Sequence, residues 1–394
     1  MMNTPYFFIH KDILLSNIND FKSALDTYWP NSKLAYSVKT NSLPWLLRFL
    51  KKEDILAEVV SDEEYQLARL CGYNDSEIIF NGPIKGEKIF ENAITNGAVI
   101  NLDSKCDLKF LKTYVMEDSL VGIRINIPPQ IFAKEDIGYC EEGFRFGYSE
   151  ETGDLQRVLQ LIYKLGKNIR IGIHVHCNSI TRSIDVYQQI SKYVARLIQT
   201  YNLELAFIDI GGGFFGGVEG KPTPVDYILA IQKELIGSVD FNQTTLILEP
   251  GSAIIGSAVD LHTTVIDIKD TGHARIVTTD GSRIHIDPLW KKEKYMYSVN
   301  IHEKRRNLVQ QIICGYTCMD HDRIMKITNT EELLPGDELI YHRVGAYTMT
   351  FGGMFIRYFP DVYVQEKEKQ VKVRSKISVE DYYKIHSVEM DKGE

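Results

Sequence analysis

The sequence predicts an α/β protein in two parts: a (β/α)8 TIM barrel, followed by a C-terminal antiparallel β domain. Three observations predict it. Between residues 33 and 250 a short apolar or β-branched run, a turn and a helical stretch recur in succession. Strands alternating with helices imply parallel pairing, and eight such runs imply a closed barrel rather than an open sheet. After about residue 257 the crossover helices stop and longer alternating strands take over.

The eight runs lie at 34–38, 55–60, 77–80, 98–102, 121–127, 170–176, 206–210 and 246–249. Amphipathic stretches at 63–70, 155–165, 186–199 and 225–235 supply crossover helices. Alternating runs at 259–268, 274–279, 338–344, 361–366 and 371–374 supply the second sheet. A strand at 6–9 and a helix at 13–28 precede the barrel. The expected domains are therefore 30–256 for the barrel, and 1–29 with 257–394 for the β domain.

The 394 residues are 44% apolar and 25% charged, with a formal charge of -8. That balance argues against a nucleic-acid or anionic-membrane partner. No run is long enough to cross a bilayer, and no signal peptide is visible. Six scattered cysteines imply reduced thiols and a cytoplasmic setting. Cys314 and Cys318 lie near His321, but no second ligand cluster accompanies them, so no metal is expected.

A barrel of this kind builds its reactive face at the C-terminal strand ends. These ends carry Lys39, Glu58 with Ser61, Asn81, Asp103, Arg124, His174 with His176, Asp209 with three glycines, and Glu249. A lysine in the barrel mouth is desolvated, which suits an amine that bonds a carbonyl. Gly211, Gly212 and Gly213 offer backbone amides to a phosphate, and Glu249-Pro250-Gly251-Ser252 closes the neighbouring strand beside them. Glu249 is placed to keep a pyridine nitrogen protonated, and His176 to stack on a ring. His174 reads as a satisfied core histidine, and Cys318 as an exposed thiol that acts as an acid.

These motifs resemble, in order, those of the fold-type III pyridoxal-phosphate decarboxylases, which include the diaminopimelate, ornithine, arginine and carboxynorspermidine enzymes. Tyr36-Ser37-Val38-Lys39-Thr40-Asn41 is similar to the cofactor-lysine motif, and Glu58 with Ser61 and Glu64, Asn81 to Lys85, Asp103-Ser104 and Arg145-Phe146-Gly147 resemble barrel segments. His176 with Ser179, Asp209 to Phe214, Glu249 to Gly251, Cys318 with Asp322, and Gly345-Ala346-Tyr347-Thr348 complete the series. The resemblance implies an alanine-racemase-like fold, pyridoxal 5'-phosphate, and a homodimer in which Cys318 of one copy serves the site of the other. It assigns Lys39, Glu58, His176, Ser179, Gly212, Gly213, Glu249, Gly251, Ser252 and Tyr347 to the cofactor. Lys39, Cys318, His176 and Glu249 carry the chemistry, and Arg283, Asp287, Cys318, Met319, Asp322 and Tyr347 face the substrate.

Four departures cluster at the phosphate and at the distal end of the substrate. Ser252 replaces the arginine after Glu-Pro-Gly, and Asn178 replaces the glycine before Ser179. Met319 replaces the acidic residue after the cysteine. Asp287 stands where a diaminopimelate-type enzyme has arginine, leaving Arg283 or Arg357 to compensate. The expectation is α-decarboxylation of an amino acid with altered distal anchors, such as a larger or conjugated one. A carboxynorspermidine-type polyamine decarboxylase is the alternative, and a cofactor-free binding or regulatory protein is the alternative of another class.

Overall fold

The computed structural model describes residues 2–301 and 303–387. In chain order the first strands are β1 (Tyr6–Ile9), β2 (Ser32–Ser37), β3 (Leu56–Val59), β4 (Ile78–Phe80), β5 (Val99–Leu102), β6 (Leu120–Asn126), β7 (Tyr148–Ser149), β8 (Arg170–His174), β9 (Phe207–Asp209) and β10 (Thr245–Leu248). Strands β2, β3, β4, β5, β6, β8, β9 and β10 pair in parallel, and β10 returns to β2, which closes the barrel. The short β7 only extends the end of β6.

Crossover helices are set by their caps. The hydroxyls of Ser61, Ser104, Ser183 and Thr223 accept hydrogen bonds from backbone N–H groups at the starts of helices Asp62–Leu70, Lys105–Tyr114, Ile184–Tyr201 and Pro224–Leu235. Ser61, read above as part of a site motif, is thus a helix cap.

Side-chain alternation along the strands sorts the barrel interior into layers. One layer is apolar, with Ala35, Ile79, Val99, Phe207 and Ile247 packed together. Phe207 fills the axis because its neighbours are glycines: a Cβ on Gly172 would lie 2.4 Å from its ring, and one on Gly122 3.1 Å. Moving two residues toward each strand's C-terminal end keeps the inward face. Those positions hold Ser37, Glu58, Asn81, Asn101, Arg124, His174, Asp209 and Glu249, and all are buried. The period of two therefore stacks a polar layer directly on the apolar one.

The second unit contains β1 with β11 (Val259–Asp270), β12 (Arg275–Thr279), β13 (Met296–Asn300), β14 (Asn307–Cys314), β15 (Arg323–Glu331), β16 (Glu338–His342), β17 (Asp361–Glu366) and β18 (Lys369–Arg374). Most pairs are antiparallel, but β1 with β17 and β12 with β14 are parallel, so the sheet is mixed.

The compact units are Leu15–Ile254, and Met1–Leu14 with Ile255–Glu394. The expected assignment of residues 1–29 to the β domain is therefore corrected from Leu15 onward. Helix Lys11–Tyr28 explains the shift: Phe21 packs against Phe214, and Asn17 donates to the Ile254 carbonyl at 2.8 Å. Among the described residues no helix is long and apolar enough to cross a membrane.

Candidate active site

The polar layer is one connected network. Asn81 Nδ2 donates to Glu58 Oε1 at 3.0 Å and to Glu249 Oε1 at 2.8 Å. Asn101 Nδ2 donates to Asn81 Oδ1 at 2.7 Å and to Asp209 Oδ2 at 3.0 Å. The bonds from Asn81 to Glu249 and from Asn101 to Asp209 join strands that are not neighbours, so these groups meet across the barrel interior. Asn81 was visible at a strand end and Ser37 only as part of the Lys39 motif, whereas Asn101 escaped sequence reasoning; its inward register two residues beyond Val99 was the signal available.

Lys39 sits in a short 3-10 turn immediately beyond β2. Its Nζ lies 2.7 Å from Glu58 Oε2 and donates to Ser37 Oγ at 3.2 Å. The lysine side chain is 40% exposed, whereas that of Glu58 is wholly buried. The expected desolvated lysine is thus an ion-paired one that still opens to solvent. Burial alone would raise Glu58, but the Lys39 charge and hydrogen bonds from Lys39, Ser37 and Asn81 override it and hold the carboxyl below its usual range.

Glu249 and Asp209 behave oppositely. Burial, the Asp209 charge and the Glu58 charge push Glu249 well above the carboxylate range. Burial likewise lifts Asp209 to about 6, against the hydrogen bonds it shares with Glu249, Gly211 N and Asn101. The two carboxyls hydrogen-bond to one another, and burial pushes both toward the protonated form, which favours a proton shared between them. His174 is buried beside them, its Nε2 3.7 Å from Glu249 Oε2, and neither ring nitrogen has a hydrogen-bond partner. The reading of His174 as a satisfied core residue is therefore corrected: it belongs to the site and is unsatisfied. His174, Asp209 and Glu249 each place a ligand-type atom within 4.8 Å of the others. That spacing also suits a metal, but hydrogen bonds occupy both carboxyls.

The loop after β9 runs Gly211-Gly212-Gly213, with φ of +71° and +92° at its first and third glycines. A Cβ on Gly211 would meet His176 at 2.7 Å, and one on Gly212 the Glu249 carbonyl oxygen at 2.4 Å. Only bare backbone fits there. A Cβ on Gly251 would likewise meet Thr40 Oγ1 at 2.0 Å, and that buried hydroxyl has no hydrogen-bond partner. His176, just past β8, is held near 3 by burial, then by Arg124 and Lys39, so its ring is neutral. Ser179 Oγ accepts from the backbone N–H of Arg182 at 2.9 Å, and Arg182 Nη1 donates to Ser252 Oγ at 3.2 Å.

A reachable primary amine, a buried carboxyl that keeps its proton, a neutral imidazole and a glycine cradle are the donor set that pyridoxal phosphate requires. The residues present fit the group.

The residues expected at the substrate end lie in the second unit. Asp287 accepts from Arg283 Nη2 at 3.0 Å, Tyr295 Oη at 3.1 Å and the backbone N–H of Lys292 at 2.8 Å. Arg283 also lies over the Trp290 ring at 4.8 Å, so its charge and that of Asp287 are spent on each other. Asp322 accepts from Ser282 Oγ at 2.9 Å, Arg283 N at 3.0 Å and Thr317 Oγ1 at 2.7 Å. It fixes the turn that presents exposed Cys318 and half-buried Met319. Tyr347 is exposed, with φ +56°, and meets Phe351 edge-on. All six cysteines are free.

Comparison with known proteins agrees with this geometry. Residues 13–256 match the family model described as pyridoxal-dependent decarboxylase, pyridoxal binding domain. A diaminopimelate decarboxylase of Archaeoglobus fulgidus is 27% identical over 366 residues, 89% of this chain and 85% of that protein. An L-glutamyl-[BtrI acyl-carrier protein] decarboxylase of Niallia circulans is 26% identical over 376 residues, 88% of this chain and 85% of that protein. The crystal structure of diaminopimelate decarboxylase from Helicobacter pylori complexed with L-lysine superposes with a TM-score of 0.82 at 24% identity, covering 98% of this chain and 97% of that one.

The chain belongs to the pyridoxal-dependent decarboxylase family. It is a carboxy-lyase acting on amino acids with pyridoxal phosphate as cofactor.

The Asp209–Glu249 proton has a pH signature. Raised carboxyls bind more protons folded than unfolded, so stability of the cofactor-free protein falls as pH climbs above the ordinary carboxylate range and through about 6. Urea unfolding from pH 5 to 8 should show that fall, and Glu249→Gln should flatten it, because the amide donates to Asp209 without needing a shared proton. Equal slopes in both proteins would contradict the shared proton.

Proposed function

We propose that this chain removes the α-carboxylate of an amino acid in the manner of a diaminopimelate decarboxylase, with a distal group that no single free charge grips. The observation that carries this reading is the Arg283–Asp287 pair. The charges that would select a free distal carboxylate or ammonium neutralise each other, and Met319 brings none. A conjugated amino acid satisfies such a site, and a relative named for a glutamyl group on an acyl-carrier protein favours that reading. A carboxynorspermidine-type substrate is the second reading, because that class also departs at Ser252 and Met319.

When bound, pyridoxal phosphate supplies the ring that takes up the electrons left by the departing carboxylate. Lys39 would hold the cofactor through its amine, in the place a substrate amine would take. Glu58 keeps a negative charge 2.7 Å from Lys39 Nζ and holds that amine in place. Glu249, pushed toward its protonated form, would hold a proton for a pyridine nitrogen and serve as its counter-charge. His176 presents a neutral face to the ring, and the Gly211 to Gly213 backbone receives the phosphate. Cys318 of a second copy returns a proton to the α-carbon.

Carbon dioxide release should be measured across meso-diaminopimelate, ornithine, arginine, carboxynorspermidine and glutamyl conjugates. The expected result is highest kcat/KM on a conjugate or on carboxynorspermidine; turnover of meso-diaminopimelate as the best substrate would sink the altered-anchor reading.

Mixing inactive Lys39→Ala and Cys318→Ala chains tests the shared site. Random exchange makes half the dimers mixed, each with one intact site of two, so activity should recover to roughly a quarter of wild type. No recovery above the parent variants would exclude sharing.

A further inference from the structure

The Glu249-Pro250-Gly251 turn continues into Ser252, so the strand end beside the glycine cradle carries no cation of its own. A guanidinium nevertheless arrives there from elsewhere in the chain. Arg182, in the loop between β8 and helix Ile184–Tyr201, donates from Nη1 to Ser252 Oγ at 3.2 Å. Its Cζ lies 5.4 Å from the centroid of the Phe215 ring, on the segment that continues the glycine run. Phe215 is also covered by Lys221, whose Nζ lies 5.4 Å from the same centroid.

The backbone of Arg182 is held on both sides. Its N–H donates to Ser179 Oγ at 2.9 Å, and its carbonyl accepts from Tyr227 Oη at 2.6 Å. Tyr227 meets the Tyr187 ring at 4.8 Å, and Tyr187 Oη donates to the Gly212 carbonyl at 3.0 Å. The loop bearing Arg182 and the glycine cradle are therefore tied into one assembly. Within it Arg182 adopts φ +53°, a left-handed conformation that an arginine takes only when its surroundings impose it. Glycine would occupy that position without strain, yet the chain keeps a long cationic side chain there.

The geometry points to Arg182 as the residue that supplies the positive charge to the cofactor's phosphate, in place of a cation at position 252. Ser252 then has two tasks: its hydroxyl orients the guanidinium through Nη1, and its small size leaves room for it. This assignment rests on the pyridoxal-phosphate reading of the site and deepens it.

The test is cofactor affinity rather than turnover. Dissociation constants for pyridoxal 5'-phosphate and for pyridoxal, which lacks the phosphate, should be measured by visible absorbance on the full chain and on Arg182→Ala and Arg182→Gly. Both variants should lose about tenfold or more in affinity for the phosphate ester, the scale of one charge-assisted hydrogen bond, and keep their affinity for pyridoxal. Inorganic phosphate should compete with the ester more weakly in both variants than in wild type. Arg182→Gly should hold or raise the thermal midpoint of the cofactor-free protein, because it relieves the positive φ; a merely structural arginine would lower the midpoint and both affinities together. Unchanged affinity for the ester, or an equal loss for ester and pyridoxal, overturns the proposal alone. A wild-type chain that takes up neither compound overturns the cofactor reading and this proposal with it.

Discussion

Three carboxyl groups buried in one layer of the barrel are the constraint on which the site depends. Glu58, Asp209 and Glu249 are each nearly sealed from water, where an unpaired negative charge costs several kcal/mol. The chain meets that cost in two ways. Glu58 is ionised and balanced by Lys39, while Asp209 and Glu249 are balanced by a proton they share. Asn81 and Asn101 link the two arrangements: Asn81 donates to Glu58 and Glu249, and Asn101 donates to Asp209 and to the Asn81 amide oxygen. The resulting division of labour is chemical: one acid fixes a charged amine at the mouth, and the other pair keeps a proton in reserve.

The architecture makes this layer possible because a parallel barrel offers each strand an inward position every second residue. Phe207 and its glycine neighbours plug the axis below, so the polar groups above it sit on a closed floor rather than in a channel. The glycine turn after β9 begins at the same level, and Asp209 accepts from Gly211 N at 2.9 Å. One residue thus couples the paired carboxyls to the glycine cradle proposed to receive the phosphate. On the substrate side the logic is reversed, since Arg283, Asp287 and Asp322 are consumed in holding their own loops. Under the proposed function, selectivity there would be left to shape and to uncharged contacts.

Much of this was legible in the sequence, for physical reasons. Strand ends in a barrel are short and their polar residues have few alternative duties, so Lys39, Glu58, Asn81, Asp209 and Glu249 stood out where strands stopped. His174 did not, because its role depends on an unsatisfied imidazole meeting Glu249 from another strand. Arg182 was silent for the same reason: only the folded loop brings it to Ser252. Strands β13 to β15 were missed because polar residues such as Gln310 and Gln311 blur their alternation, and buried Gln311 is satisfied by Thr330, Glu331 and Leu333. The split of the first helix was hidden because its apolar face does not announce which unit receives it.

The central claim is that Lys39, paired with Glu58, is the amine that carries pyridoxal phosphate. Its most direct measurement is borohydride reduction of the reconstituted protein, followed by peptide mass spectrometry. The account predicts a visible absorption band in the reconstituted chain, its absence in Lys39→Ala, and the reduced label on the peptide containing Lys39. A label on Lys85, the buried lysine held by Asp107 and the Gly82 and Asn101 carbonyls, or a chain that stays colourless with excess cofactor, would contradict it.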